Sequence, residues 1–428
     1  MNLAPAAAAR PYRWIVLLLS WAAFTMTAVD RSTWGPASVS VGEHLGVSLA
    51  GLGVFATGYY IGYVISNACG GVLTDWIGGR VVLSSTLFAA GGFMILFGEA
   101  TSVALGIAFQ ACIGVFAGCD YSAGVKLISQ WFRPANRGFA LGVFMTATSL
   151  GTVIANAVVP SLIEASGWRA SYHVFGIASM VVAVLCFVFL RNGTETVTQP
   201  RRLPRLGPLL RNRDLVFLGL AGFGGLWGTY GFITWSNALM VKGSGISPVE
   251  AGGVVAVFAV VAVVAKPLIG IVTDRFCGGR RKMPAVFVLG SFVVTLLLFG
   301  TADSLTAYLW IAPFLGIAAY VYSPLMVALI PQLSGVPLAG SAAGVTNAFW
   351  QLGSTAVPVV VGVVFQSTHS FLAAFATLAA GPLLGMLLML AVREPRPDYR
   401  DKAASSSHDR QMHSSAGLTS SITQGAGK

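Results

Sequence analysis

Four ionisable side chains stand inside long apolar runs. Asp30 and Arg31 close the first run, Asp120 lies within the fourth, and Lys266 sits in the eighth, just before Pro267. A charge at mid-bilayer costs about 2.5–3.5 kcal/mol on insertion scales, so such residues normally face a cavity and a partner. Their types define the chemistry open to them. Arginine stays ionised, and its planar fork matches a carboxylate with two hydrogen bonds. A buried lysine supplies a second point charge. A carboxyl can carry a proton where desolvation and a nearby cation act on its titration in opposite senses. Together they point to a site for a small organic anion and a proton. Arg31 and Lys266 are candidates to hold the anion, and Asp30 and Asp120 to couple the proton. Two simpler roles compete: Arg31 as the permanent partner of Asp30 or a surface snorkeller, and Asp120 as a structural hydrogen-bonding group.

The elements that position these residues are membrane helices. Of the 428 residues, 55% are hydrophobic and 10% charged, against about 25% charged in soluble domains. A helix from Trp14 to Asp30 would rise about 24 Å of a bilayer core about 30 Å thick. That expectation puts Asp30 and Arg31 in the outer part of a span, with Gly35–Leu49 as the loop beyond. Twelve spans are predicted, near 14–34, 49–73, 81–99, 103–131, 138–163, 170–190, 215–241, 249–273, 283–301, 305–331, 339–366 and 371–392. The organisation is then a segment 1–13, a six-helix bundle 14–190, an arginine-rich linker 191–214, a second bundle 215–392 and a polar tail 393–428, expected to be disordered.

The net charge of +11 sits in alternate loops and orients the spans rather than suggesting nucleic acid. Basic segments alternate with loops almost free of Lys and Arg, Arg169 and Lys242 being the exceptions. That bias predicts both termini in the cytoplasm. The five cysteines show neither metal-ligand spacing nor a disulfide framework. No phosphate-binding glycine loop or Ser/His/Asp constellation occurs, so no cofactor, metal or enzymatic activity is expected.

The halves repeat at an offset of about 200 residues. Gly71-Val72-Leu73-Thr74-Asp75 returns as Gly270-Ile271-Val272-Thr273-Asp274, and Leu127-Ile128-x-Gln130 as Leu329-Ile330-x-Gln332. Parallel repeats with a site between them are a transporter architecture.

Gly71…Asp75-Trp76-Ile77-Gly78-Gly79-Arg80, with its copy Gly270…Asp274-Arg275…Arg280-Arg281-Lys282, resembles the loop motif of the major facilitator superfamily. The resemblance implies an all-α protein of two six-helix bundles rocking about a central site. Asp75, Arg80, Asp274 and Arg275 would then take part in gating. Trp76 stands where the family usually has a basic residue. Asp30-Arg31, Gly70-Gly71, Gly118-x2-Tyr121-Ser122-Ala123 and Trp131-Phe132-x4-Arg137-Gly138 look like the anion:cation symporter branch. That branch implies organic-anion transport, often with protons. Its members commonly carry an arginine and a glutamate on the fourth helix, where this chain has Gln110 and Ala117. Asp120, three residues on, is the candidate replacement for the carboxylate. Oxalate/formate-type carriers are similar in having a basic residue before a proline at the place of Lys266.

Polar and aromatic residues at helical spacing are the candidate lining: Tyr60, Tyr63 and Asn67 on span two, Trp227 and Tyr230 with Thr234 on span seven, and Asn347 and Gln351 on span eleven. Asn67 is the repeat counterpart of Lys266. The expectation is a monomeric, multi-pass carrier in a bacterial inner membrane, importing a small carboxylate with protons and needing only the gradient. An exporter or exchanger of the same fold, or a solute sensor without flux, are the alternatives.

Overall fold

The computed structural model describes residues 9–132, 134–193, 206–277, 279–334 and 339–394. Residues 1–8, the stretch 194–205 of the central linker and the tail beyond 394 lie outside them. The described residues form helices and connecting turns without strands. The N-terminal half holds α1 (Ala9–Ser32), α2 (Trp34–Leu45), α3 (Leu52–Ile77), α4 (Gly79–Gly98), α5 (Val103–Ala117), α6 (Asp120–Trp131), α7 (Pro134–Ser166) and α8 (Trp168–Phe189). A short α9 (Leu206–Arg211) precedes the C-terminal half: α10 (Arg213–Ser244), α11 (Pro248–Phe276), α12 (Lys282–Thr301), α13 (Leu305–Ser334), α14 (Ala339–Thr368) and α15 (Phe371–Ala391). Eleven segments are long and apolar enough to cross a membrane. The 26-residue α3, about 39 Å long, is the twelfth. The protein is a multi-pass membrane protein of twelve spans.

The first span differs from the sequence expectation. Gly35–Leu49 is not a loop: helix resumes at Trp34 and runs to Leu45, so the apolar span extends over Pro11–Leu45. The cause of the interruption is Pro36, which has no N–H to give the carbonyl of Ser32. Thr33 keeps helical angles at the joint, φ −61° and ψ −31°. Gly35 lets α2 approach the other half, since a Cβ there would lie 2.6 Å from the Ile233 carbonyl oxygen on α10. Asp30 and Arg31 are therefore about midway along the span, about 28 Å from Pro11 and 22 Å from Leu45, and not at its outer end.

Span four is also interrupted, at Gly118–Cys119 between α5 and α6. Small residues bring α5 close to α3: a Cβ on Gly118 would meet the Tyr63 carbonyl, and one on Gly114 the Tyr59 carbonyl. Such contacts suit helices in lipid, where packing and not the hydrophobic effect holds spans together.

The halves meet along α3/α14 and α7/α11, with α2/α10 at the end away from the chain termini. At that far end Lys242 Nζ is 2.6 Å from Glu43 Oε1, Asn237 Nδ2 donates to Asn156 Oδ1 at 2.9 Å, and Thr57 donates to the Thr355 carbonyl at 3.0 Å. Arg169 contacts His44 there at 2.9 Å. The two basic residues that break the loop-charge pattern are thus engaged at this end. Toward the terminal end Gly71 on α3 and Gly270 on α11 face open space, with nothing within 4 Å of a Cβ at either. The seam is bridged at the far end by the Lys242, Asn237 and Thr57 contacts.

Candidate functional site

The helix turns 100° per residue, so neighbours in sequence point apart. Asp30 faces α8, where Ser179 Oγ donates to Oδ1 at 3.0 Å and lies 3.1 Å from Oδ2. Arg31 faces the seam. Its guanidinium lies over the Tyr230 ring of α10, 4.8 Å from the centroid. No Asp30–Arg31 ion pair forms among the described residues, so the arginine is not the permanent partner of its neighbour. It is also no surface snorkeller, given its mid-span place.

Lys266 reaches the seam from the other half. Its ammonium donates to Thr148 Oγ1 at 2.9 Å and Ser149 Oγ at 2.8 Å, both on α7, and lies 4.3 Å from the centroid of the Tyr320 ring. Thr152 on α7 meets the Tyr320 hydroxyl at 3.5 Å. Each cation is therefore held by the opposite bundle, one by a ring and one by hydroxyls.

Tyr60 packs on Tyr230 across the seam at 5.4 Å between centroids, and Tyr59 stacks with Tyr63 at 6.1 Å. Asn347 Nδ2 donates to Asn67 Oδ1 at 3.4 Å, joining α14 to α3. Gln351 is buried and accepts from Ser354 of its own helix at 3.0 Å. The pattern follows the repeat: Asn67 on α3 and its counterpart Lys266 on α11 each bridge to the other half.

Two expected residues fall elsewhere. The Trp227 indole N–H donates to the Thr377 carbonyl at 2.8 Å. It thus packs against α15 inside the C-terminal half, because the face that carries Tyr230 to the seam turns Trp227 away. Asp120 lies in the core of the N-terminal half, fully buried, accepting from Thr27 on α1 and from Thr86 on α4, the latter at 2.6 Å. The kink after Ala117 places it in the first turn of α6, where the helix terminus favours a carboxylate. Its surroundings match the structural hydrogen-bonding role.

Of the expected gating residues, Asp75 and Asp274 lie in the last turns of α3 and α11, and their side chains are outside the described ones. Arg80 stays within its own half, donating from Nε to the Phe187 carbonyl at 2.9 Å, and Arg275 is exposed. Lys126 donates to the Thr74 carbonyl at 2.8 Å, one residue before Asp75.

Sequence reasoning missed Trp34, Tyr59, Thr148, Ser149, Ser179 and Tyr320. Thr148 and Ser149 form an adjacent hydroxyl pair deep in a span, a signal that was available. Trp34 was the last residue of the predicted first span, at the edge of the expected loop Gly35–Leu49. A void of about 10 Å³ beside Arg31 is bordered by Trp34, Ala56, Tyr59, Tyr60, Gln110 and Thr234, room for about one water. Three of its lining residues each carry a buried donor with no hydrogen-bond partner among the described residues: Arg31 Nε, Trp34 Nε1 and Tyr59 OH. Gln110, where related carriers have arginine, is part of its wall.

Two matching six-helix halves with a polar seam at mid-membrane define a carrier of the alternating-access type. The family model described as Major Facilitator Superfamily matches residues 20–358 and 236–424, and the chain belongs to that superfamily. It is a membrane transporter and not an enzyme. The chain is 23% identical to the probable galactarate/D-glucarate transporter of Bacillus subtilis over 436 residues, covering 92% of this chain and 94% of that one. It is 26% identical to the hexuronate transporter of the same organism over 409 residues, covering 89% and 94%. The crystal structure of a D-xylose-proton symporter superposes with TM-score 0.74 at 16% identity, covering 90% of this chain and 98% of that one.

Proposed function

We propose that the protein imports a small organic anion, a carboxylate such as a sugar acid, together with protons, by exposing the seam alternately to the two sides of a bacterial inner membrane. The observation that carries this reading is the crossing of Arg31 and Lys266. Two part-buried cations from opposite halves share one seam, and no described carboxylate pairs with either. An anion between them interacts with both halves at once, so closure about the site depends on its presence. The names of the relatives, transporters of galactarate/D-glucarate and of hexuronate, support the substrate class.

Asp30 is the proton carrier in this reading. It is buried one residue from Arg31, with both carboxylate oxygens near a single hydroxyl. A proton gained or lost there changes the charge beside the anion site. Tyr60, Tyr63, Tyr230, Asn67, Asn347 and Gln351 form its walls. The loop-charge bias supports termini in the cytoplasm. One chain supplies both halves of the site, so a monomer suffices.

The test is uptake by proteoliposomes with an acidic exterior, using labelled carboxylates first ranked by thermal shift of the purified protein. Accumulation driven by the pH step is expected. Counter-flow without dependence on the step marks an exchanger. Binding without flux marks a sensor.

A further inference from the structure

The geometry points to a lipid site on the outer face of the N-terminal half: one acyl chain of an anionic phospholipid lies in the groove between α4 and α8, with its phosphate at Arg80 and Arg191. The site is remote from the seam, which runs along α3/α14, α7/α11 and α2/α10.

The groove is a product of close packing. A Cβ on Gly91 would lie 2.6 Å from the Gly176 carbonyl oxygen, and one on Gly176 2.7 Å from the Gly91 carbonyl oxygen. The backbones touch at this crossing, and the larger side chains beside it splay outward as walls. Phe88 and Ile95 on α4, with Ile177, Val181, Val184 and Leu185 on α8, border about 420 Å³, and no polar side chain lines it. From the crossing the groove reaches Leu185, about 14 Å one way, and Ile95, about 6 Å the other way. One leaflet of a bilayer core is about 15 Å deep, so an extended acyl chain fits this length.

Charge at one end sets the groove apart from an ordinary lipid-facing surface. Arg80 lies about 16 Å from Gly91 along α4, about one leaflet's depth. Its guanidinium lies across the α4–α8 contact, 5.0 Å from the centroid of the Phe187 ring, and its Nε donates to the Phe187 carbonyl at 2.9 Å. Its backbone N–H donates to Asn192 Oδ1 at 3.0 Å, which brings the exposed Arg191 to the same corner. A snorkelling arginine needs only water around its head. Arg80 is instead pinned through Nε, which leaves its Nη groups as a fork of the kind that grips a phosphate. Neither arginine forms an ion pair with a described carboxylate. The positive end of the 20-residue α4 adds to the field at this corner.

The repeat supplies the contrast. At its offset the counterparts of Arg80 and Asn192 are Arg281 and Glu394. There the Glu394 carboxylate accepts from the backbone N–H groups of Arg281 at 2.6 Å and Lys282 at 3.3 Å. Arg281 Nη1 donates to the Gly270 carbonyl at 3.4 Å. The C-terminal half thus carries its own anion at this corner. The N-terminal half has the neutral Asn192 in that place and takes its anion from the membrane.

The test is native mass spectrometry of the purified full-length protein in nonionic detergent, titrated with phosphatidylglycerol and phosphatidylcholine of identical acyl chains. Basic residues near an anionic headgroup set the size of the preference, so phosphatidylglycerol is expected to bind at least about tenfold more tightly. Arg80→Gln combined with Arg191→Gln should bring that ratio toward one. Val181→Trp fills the groove and should weaken both lipids, and Phe88→Trp serves in its place if that variant fails to fold. Glycerol phosphate, which has the headgroup charge without the chains, should not displace the lipid. Equal wild-type affinities, a preference that survives loss of both arginines, undiminished binding to the filled groove, or displacement by glycerol phosphate would each overturn the site. So would a dimer that Val181→Trp dissociates, since a second copy would then cover the groove.

Discussion

Asp30 and Arg31 are adjacent in sequence and belong to different parts of the molecule. The carboxylate is satisfied inside the N-terminal half by Ser179, as Asp120 is by Thr27 and Thr86. The guanidinium crosses the seam to Tyr230, and Lys266 crosses it the other way to Thr148 and Ser149. The acids therefore have partners that travel with one rigid half. The cations also have partners on the opposite half, the Tyr230 ring for Arg31 and the Thr148 and Ser149 hydroxyls for Lys266, which would part from them in the proposed cycle, while the Tyr320 ring stays on the side of Lys266. In the proposed cycle, solute recognition would fall to groups that feel the motion. Proton binding would fall to Asp30, whose hydroxyl partner Ser179 lies in the same half.

The sharpest way to break the comparison is at Arg31. Arg31→Gln should lower uptake more than 100-fold, and Arg31→Lys should not restore it, because an ammonium cannot replace the planar fork over Tyr230. Retained uptake would remove the cation from the anion site. Next comes Asp30→Asn, which should abolish accumulation driven by pH while keeping counter-flow within about fivefold. Loss of both activities would mean that this carboxylate acts in binding.

Asp120→Asn sharpens the same contrast from within the bundle. It exchanges a carboxylate with two hydroxyl donors for a neutral amide, at about 1.5–3 kcal/mol for a hydrogen bond to a charged group. The apparent melting temperature should fall, with the pH dependence of uptake unchanged. A shifted pH profile would return Asp120 to proton coupling. The smallest effect is expected at the far end of the seam. Glu43→Gln removes the partner of Lys242, but both side chains are substantially exposed, at 63% and 45%. Exposed pairs contribute about 0.2–1 kcal/mol. Uptake should change less than about fivefold, and Glu43→Lys with Lys242→Glu should restore it.

The sequence carried much of this arrangement. Apolar run lengths gave the spans, and the offset of about 200 residues paired Asn67 with Lys266 before any contact was visible. The depth of Lys266 in its span marked it as a seam residue. Other features were misread for physical reasons. Gly35-Pro36 has the composition of a turn, yet here glycine serves close approach to α10 and proline only interrupts one bond, so α2 remained hidden. Helical spacing grouped Trp227 with Tyr230 and Thr234, but i and i+3 span about 60° of helix surface. Packing against α15 decided which side of that arc met the seam.

Sequence by itself determined the number of spans, the twofold repeat and the presence of ionised groups deep in the membrane, because hydropathy and charge are local properties of the chain. Tertiary structure decided which of those groups belong together. Whether a buried charge meets a hydroxyl of its own half or a ring of the other depends on how α1, α7, α10 and α11 are rotated about their axes. That rotation is set by glycine contacts and kinks between helices far apart in the chain.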